Sequence, residues 1–184
     1  MYPIVDLVEH QTIAAVQKLD DLDLALDSNA NVIFLLVGSI FNVADLVSQI
    51  KAKKKYVFLH MDFIEGIAAD RTGVAYVAQE VRPTGIITTK SNLIRIAKEA
   101  GLMAIQRMFL IDRGAVQRGI KSVEQIQPDA IEVMPGIMPR IIREMADMTP
   151  LPIIAGGLVG YQEEIDEALE AGALAVSVGS SHLW

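Results

Sequence analysis

The chain has 184 residues, of which 52% are hydrophobic; it contains no cysteine and carries a formal net charge of −7 at pH 7. This length suits one domain with a sizeable core. No linker or change in composition divides the chain, so residues 1–184 are predicted to form a single domain. The lack of cysteine excludes disulfides and thiolate metal sites. An acidic surface does not attract nucleic acid as a whole, so contact with RNA would need a local basic patch.

The hydrophobic residues occur in short runs that glycine, proline or charged residues interrupt. No run approaches the ~18 apolar residues of a membrane-spanning helix. The first residues also lack the basic segment and apolar core of a signal peptide. The sequence therefore predicts a cytoplasmic protein that makes no membrane contact.

Short apolar segments rich in β-formers alternate along the chain with helix-type segments. Strands are predicted at 12–17, 31–38, 56–62, 85–89, 103–110, 130–134, 152–155 and 173–178, and helices at 21–27, 43–53, 73–81, 91–100, 113–126, 137–148 and 162–171. Near-continuous apolar strands are typical of a parallel sheet that helices cover. Eight such units favour an α/β fold, a small (β/α)8 TIM-type barrel with short loops. The first strand is the weakest, and without it an open doubly wound sheet is the alternative.

Polar side chains interrupt several of these strands near their carboxyl ends. They are His60, Asp62, Thr88, Lys90, Arg107, Glu132 and Ser177. Outward-facing positions of a barrel strand contact helices, so these groups are expected to point into the barrel or its carboxyl-end mouth, where barrel sites lie. Their mixed charges allow either a ligand site or an internal ion-pair network without a ligand. His60 and Asp62 alone are too few for a divalent cation, so no metal site is predicted.

Two glycine-containing segments follow the last two predicted strands: "AGG" at 155–157 and "VGSS" at 178–181. In many barrels the loops after strands seven and eight bind phosphate. The missing side chains of Gly156, Gly157 and Gly179 would let backbone N–H groups face an anion, and Ser180 adds a hydroxyl where a short helix begins. The pattern predicts a phosphate site; the alternative is that these glycines only form tight turns.

Seven segments resemble one protein family. "FLLVGSI", "HMDFIEG", "GIITTKSNLI", "AIQRMFLID", "PDAIEVMPG", "PIIAGGLV" and the terminal "LW" are similar to the glycerol-3-phosphate-responsive antiterminators, which regulate glycerol uptake operons in bacteria. The resemblance extends over about residues 13–184. It implies a barrel that binds glycerol 3-phosphate as its effector, needs no cofactor, and acts on leader mRNA so that transcription passes a terminator. A homo-oligomer is compatible with this resemblance.

The resemblance also implies a set of ligand-site residues. The matching positions are His60, Asp62, Thr88, Lys90, Arg107, Glu132, Pro135, Gly136, Gly156 and Gly157. Lys90 and Arg107 are predicted to complement the charge of the phosphate or to contact the glycerol end of the ligand, and Asp62 and Glu132 to accept hydrogen bonds from the glycerol hydroxyls. The chain departs from the family pattern at Gly179, in a strand end that usually reads closer to "VSTS". It departs again at Arg113, where a serine is expected.

Two other functions remain compatible with these residues. The first is a sugar-phosphate aldolase- or isomerase-like enzyme, in which Lys90 forms a Schiff base and Asp62 or Glu132 acts as acid or base. The second is a barrel that binds the ligand but no longer binds RNA, which the net negative charge would suit. The resemblance favours a regulator without catalytic residues.

Overall fold

The structure is a computed structural model that describes residues 4–8 and 11–184. Its centre is a barrel of parallel strands: β1 (Thr12–Val16), β2 (Val32–Leu35), β3 (Tyr56–His60), β4 (Gly85–Thr88), β5 (Met103–Phe109), β6 (Ala130–Met134), β7 (Ile153–Gly156) and β8 (Ala175–Val178). Each strand pairs with the next, and β8 closes the barrel onto β1 with Val178 opposite Ala14. The predicted (β/α)8 TIM-type barrel is confirmed, and the open-sheet alternative is excluded.

Helices alternate with the strands as predicted. They are α1 (Ile4–Leu7), α2 (Leu22–Asp27), α3 (Val43–Ala52), α4 (Arg71–Tyr76), α5 (Ser91–Glu99), α6 (Arg113–Ile126), α7 (Pro139–Met148) and α8 (Gln162–Glu170). The predicted helix at 73–81 is an α-helical turn that continues as a π-helix at Val77–Val81. The four-residue helix α1 was not predicted, because so short a segment gives no helical periodicity. No helix among the described residues is long and apolar enough to cross a membrane.

The barrel interior is filled by apolar side chains from alternate strand positions. The rings of Phe34 and Phe58 pack edge to face within this cluster, with centroids 5.9 Å apart. Ile4 and Leu7 of α1 are buried in the same cluster. Because that cluster also includes residues at the amino ends of the strands, α1 covers the amino end of the barrel. The other end is where a site can form.

The inward-facing rows of the strands become polar at the carboxyl end. His60, Arg107, Glu132 and Ser177 are all buried there. The register of the sheet brings two of them together, since Arg107 of β5 lies directly opposite Glu132 of β6. Four buried polar groups in one layer must bond to each other or to a ligand. This layer therefore defines the floor of the candidate site.

Candidate ligand-binding site

A buried ion pair organises one side of the mouth. The Nε of Arg107 donates to Oε2 of Glu132 at 2.5 Å, and the hydroxyl of Ser177 donates to Oε1 at 2.7 Å. Glu132 is fully buried and both of its carboxylate oxygens are engaged. Glu132 therefore orients Arg107, whereas the sequence predicted that Glu132 accepts hydrogen bonds from the glycerol hydroxyls. The terminal Nη1 and Nη2 of Arg107 donate no hydrogen bond within residues 4–8 and 11–184.

A cavity of about 310 Å³ opens beside this arginine. It is lined by Ala15, Gln17, Leu36, Arg107, Met134, Gly157, Leu158, Val159, Ser177, Gly179 and Ser180. The cavity thus brings together four residues that the sequence predicted from three different strand ends: Arg107, Gly157, Gly179 and Ser180. Its volume lies at the small end of the range for ligand pockets. This is a size suited to a ligand of few heavy atoms.

Backbone donors line the same cavity. The N–H groups of Gly157, Gly179 and Ser180 donate no hydrogen bond to any other described residue. Gly157 and Leu158 both have positive φ, at 77° and 63°, so the backbone turns sharply as it leaves β7. Unpaired N–H groups in such a turn form a concave donor surface for anions. The helix predicted after Ser180 is only a three-residue 3-10 turn at Ser181–Leu183, so a helix dipole adds little.

The other glycines have structural roles. A Cβ on Gly156 would lie 2.3 Å from Oγ of Ser177 and 2.8 Å from Oε1 of Glu132, so only glycine leaves room for that hydrogen bond. A Cβ on Gly136 would lie 2.7 Å from the backbone N of Gly156, and the N–H of Gly136 donates to the carbonyl of Gly157 at 3.0 Å. Gly136 and Gly156 therefore support the site from behind, and neither lines the cavity.

The β3–β4 side of the mouth is built around Asp62. Its Oδ2 accepts hydrogen bonds from the Thr88 hydroxyl and from the backbone N–H and hydroxyl of Thr89, at 3.2, 2.9 and 3.2 Å. Burial alone would raise the pKa of Asp62, but these hydrogen bonds hold it below the usual value. The Nζ of the half-exposed Lys90 lies 3.6 Å from Oδ1, which itself accepts no hydrogen bond from the described residues.

His60 lies between the two sides of the mouth. Its side chain is 1% exposed, and Nδ1 is 3.9 Å from Oδ2 of Asp62. Burial and the nearby charge of Arg107 lower the pKa of His60 to about 3, so the imidazole is neutral at pH 7. Neither ring nitrogen forms a hydrogen bond within the described part of the chain. A buried polar group without a partner is costly, so this neutral ring is a candidate to bond a ligand or water.

Three polar residues near the mouth were not among the predicted site residues. Ser177 was noticed only as a polar interruption in the last strand, and Gln17 follows β1 directly. Gln106 donates from Nε2 to the carbonyls of Thr88 and Thr89 at 3.3 and 3.0 Å, tying the β4 end to β5. Ile87 faces the barrel interior, so the next residue, Thr88, faces away from it. Thr88 supports the rim of the mouth through the hydrogen bond that its hydroxyl donates to Asp62.

A metal site finds no support in this geometry. Among residues 4–8 and 11–184, no three His, Cys, Asp or Glu side chains are grouped so that they could hold a metal ion. The mouth supplies instead a guanidinium, backbone N–H groups, a neutral imidazole and one partly satisfied carboxylate. These groups suit an anionic ligand that also carries hydroxyl groups.

The lysine-rich segment "KAKKK" at 51–55 spans the end of α3 and the turn before β3, at the amino end of the barrel and far from this mouth. Most of its ammonium groups have structural partners. Lys53 pairs with Asp27 at 2.9 Å, Lys51 donates to the carbonyl of Arg82 at 2.7 Å, and Lys55 donates to two backbone carbonyls. The run therefore presents fewer free cations than its sequence indicates.

The fold and site together define a class: a (β/α)8 barrel whose carboxyl-end mouth offers donors for a small anion. The family is shown by sequence. A family model described as "Glycerol-3-phosphate responsive antiterminator" matches residues 12–184, and the chain belongs to that family. The resemblance noted from the seven segments is thereby confirmed.

Known relatives agree with this assignment. A curated relative, the uncharacterized protein YgcP of Escherichia coli (strain K12), is 33% identical over 183 residues, which cover 99% of this chain and 96% of that protein. A glycerol uptake operon antiterminator regulatory protein from Listeria monocytogenes is also 33% identical, with a TM-score of 0.92 over 96% of this chain and 95% of that one. A glycerol uptake operon antiterminator-related protein from Thermotoga maritima shares 33% identity, with a TM-score of 0.84 over 94% and 96% of the two chains.

Enzymes share only the fold. The N-acetylmannosamine-6-phosphate 2-epimerase from Clostridium perfringens aligns with a TM-score of 0.73 over 98% of this chain and 90% of its own, at 16% identity. Such a likeness shows the barrel architecture and says nothing about the reaction. The family description, by contrast, is that of a regulator.

Proposed function

We propose that this protein is an effector-controlled regulator that binds glycerol 3-phosphate at the barrel mouth and acts on the leader mRNA of a glycerol uptake operon. One observation carries the proposal. Arg107 is held by Glu132 through Nε, which leaves its two terminal nitrogens available at a cavity that the N–H groups of Gly157, Gly179 and Ser180 also line. A planar guanidinium and converging N–H groups are the donors that recognise phosphate.

The two sides of the mouth divide the ligand between them. The phosphate group binds between Arg107 and the loops after β7 and β8. The glycerol hydroxyls point toward β3, where His60 and Oδ1 of Asp62 have no hydrogen-bond partner among the described residues. The half-exposed Lys90, beside Asp62, adds positive charge at the rim. Recognition of the glycerol part then depends on polar groups that would otherwise stay buried and unsatisfied.

The arrangement favours binding over turnover. An acid or base must exchange a proton with the ligand, but the carboxylate oxygens of Glu132 are engaged by Arg107 and Ser177. A lysine that forms a Schiff base is activated by desolvation or a neighbouring cation, and Lys90 is half exposed beside a carboxylate. These observations weaken the roles of Glu132 and Lys90 in an aldolase- or isomerase-like reaction but leave Asp62 as a candidate acid or base. The family description supports the regulator.

Action on RNA requires a local contact, because the chain has a net charge of −7. We expect a shallow dependence of RNA affinity on salt, since few phosphates can be neutralised by such a surface. Control by the effector requires that glycerol 3-phosphate favours the RNA-binding conformation. RNA must then raise the affinity for glycerol 3-phosphate by the same factor.

The test is a pair of binding measurements. Isothermal titration calorimetry compares glycerol 3-phosphate with glycerol and with inorganic phosphate, and filter binding measures the affinity for leader RNA with and without saturating glycerol 3-phosphate. We expect saturable binding of glycerol 3-phosphate, far weaker binding of the two fragments, and tighter RNA binding with the effector. Absence of glycerol 3-phosphate binding would overturn the proposal. Effector binding without any RNA binding would instead identify a barrel that has kept only the ligand site.

A further inference from the structure

One side of the barrel mouth carries a run of exposed apolar side chains. We define the rim patch as Phe109, Ile111, Ile137, Leu158 and Tyr161, which lie at the end of β5 and in the loops after β5, β6 and β7. The three loops adjoin one another. The N–H of Leu110 donates to the carbonyl of Met134 at 2.8 Å, and the N–H of Gly136 donates to the carbonyl of Gly157 at 3.0 Å. The loops that carry the rim patch therefore lie side by side.

The size of this surface is at the upper end of what monomers expose. The exposed fractions of its five side chains, in chain order, are 57%, 84%, 39%, 76% and 70%. Aromatic side chains each bury roughly 150–250 Å² when covered and aliphatic ones less, so the exposed parts of these five side chains present roughly 600 Å² of apolar area. That is at the top of the range of about 300–600 Å² for the largest patch on a typical monomer. Val5, Leu24 and Met148 are exposed singly on three separate helices, and Ile40, Phe41 and Phe63 are exposed in the loops after β2 and β3, across the mouth.

We infer that the rim patch is the interface through which two copies of this chain form a symmetric dimer. A standard interface buries about 800 Å² on each partner, and about 65% of a homodimer interface is apolar. These figures correspond to roughly 520 Å² of apolar area on each partner, which the rim patch supplies by itself. Homo-oligomers are most often two-fold dimers, in which the same patch occurs on both sides of the contact.

The shape of the patch suits contact with itself. A hollow of about 240 Å³ lies next to the protruding side chains and is lined in part by Leu110, Met138 and Ile141. In a symmetric dimer, the protruding side chains of each copy can insert into the hollow of the other copy.

The charges beside the patch are mixed. Arg113 forms an ion pair with Glu144, and Arg118 lies 3.8 Å from Asp112. Arg140, which lines the hollow, has no ion-pair partner among the described residues. A homodimer interface has an apolar centre with a polar rim, and these charged residues supply such a rim.

Sedimentation equilibrium tests the inference, with loading concentrations from the low micromolar range upward. We expect the parent protein to be a dimer, and Ile111→Asp and Tyr161→Asp each to raise the dimer dissociation constant by at least thirtyfold, because each charge would be buried in both halves of the interface. Leu24→Asp is the matched control, since Leu24 is an exposed leucine on α2 outside the patch, and it should leave the dissociation constant unchanged. Circular dichroism melting confirms that all three variants fold.

Several outcomes would overturn the inference. One is a parent protein that stays monomeric at the highest concentration. Another is a dimer that Leu24→Asp, or Phe41→Asp across the mouth, weakens while Ile111→Asp does not. A monomer whose affinity for leader RNA drops in Ile111→Asp would assign the rim patch to RNA instead.

Discussion

The two sides of the barrel mouth solve the problem of buried charge in different ways. On the β5–β8 side, the positive charge of the buried Arg107 is paired with the fully buried Glu132, and Arg107 also lines the cavity. On the β3–β4 side, Asp62 is satisfied mainly by threonine hydroxyls and a backbone N–H, and its cation partner, Lys90, is half exposed. The first side retains donors at the cavity. The second retains a carboxylate oxygen and a neutral imidazole without hydrogen-bond partners among the described residues.

This difference assigns separate tasks to the two sides. A buried pair that breaks leaves an uncompensated charge, so the β5–β8 side should govern stability as well as recognition of phosphate. An exposed lysine at a carboxylate contributes little to stability, so the β3–β4 side should adjust affinity and its dependence on pH. Variants on each side can separate these tasks.

The largest expected effect is on stability and concerns Glu132. Glu132→Leu leaves Arg107 charged and buried without its partner, and we expect the free energy of unfolding to fall by about 3–5 kcal/mol. The double variant Arg107→Met with Glu132→Leu replaces both charges by apolar groups and should recover most of that loss. Urea denaturation of both proteins measures the difference. Equal destabilisation of the single and double variants would show that the pair is not the source of the effect.

The same double variant separates binding from folding. Because the guanidinium is gone while the fold is kept, we expect its affinity for glycerol 3-phosphate to fall at least ~100-fold, in line with about 2–5 kcal/mol for truncating a buried charged hydrogen-bonding group. Calorimetric titration measures this loss. A folded double variant that binds glycerol 3-phosphate as tightly as the parent would remove Arg107 from the site.

His60 makes the β3–β4 side sensitive to pH. The unfolded chain protonates this histidine below its ordinary pKa of 6.5, whereas the folded protein keeps it neutral down to a pKa of about 3. The contribution of neutral His60 to the free energy of unfolding is thus complete above pH 6.5. It is lost as pH falls toward 3, at about 1.4 kcal/mol per pH unit. We expect the parent to lose about 2 kcal/mol more than His60→Gln between pH 7 and pH 5. Asp62, with a pKa below 3.8, stays ionised throughout this interval.

Urea denaturation of the parent and His60→Gln at both pH values measures this difference. Identical losses in the two proteins would mean that His60 titrates normally. That result would place the imidazole in contact with solvent, in conflict with its burial.

The smallest expected effect is at Lys90. Its ammonium group is half exposed and its ion pair with Asp62 is long, so Lys90→Gln should weaken glycerol 3-phosphate binding by only about three- to tenfold, with little change in stability. The effect should shrink at high salt, because exposed charges are screened. Titration at two salt concentrations checks this. A loss as large as that of the Arg107 double variant would reverse the roles of the two sides.

The sequence predicts the barrel well because the fold follows from the alternation of apolar strand segments with helix-type segments, which is visible in the sequence itself. Eight apolar segments separated by helix-type segments leave few alternative arrangements, and the ends of β1 to β8 differ from the predicted ends by only a few residues. The polar strand-end residues likewise identify the mouth, since outward positions are covered by helices. That Arg107 and Glu132 face each other follows from the β5–β6 register, which the sequence alone does not provide.

The detailed roles within the site are harder to predict, because they depend on neighbours far apart in the chain. Gly156 was expected to make room for phosphate, yet its space is taken by Glu132 and Ser177, which belong to two other strands. Glu132 was expected to accept from the ligand, yet its oxygens are engaged within the protein. Gly157 does require its positive φ and also lines the cavity, so the turn and the anion site are compatible there.

The central claim is that backbone N–H groups after β7 and β8, together with Arg107, hold the phosphate of glycerol 3-phosphate. The most direct measurement is the 1H–15N correlation spectrum of the 20.1 kDa protein during titration with glycerol 3-phosphate, with glycerol as the control. Charge-assisted hydrogen bonds to phosphate should move the amide-proton resonances of Gly157, Gly179 and Ser180 downfield, whereas glycerol should leave them unchanged. These shifts should saturate at the same concentration of glycerol 3-phosphate as the calorimetric titration. Saturation of the protein by glycerol 3-phosphate with these three signals unmoved would contradict the claim.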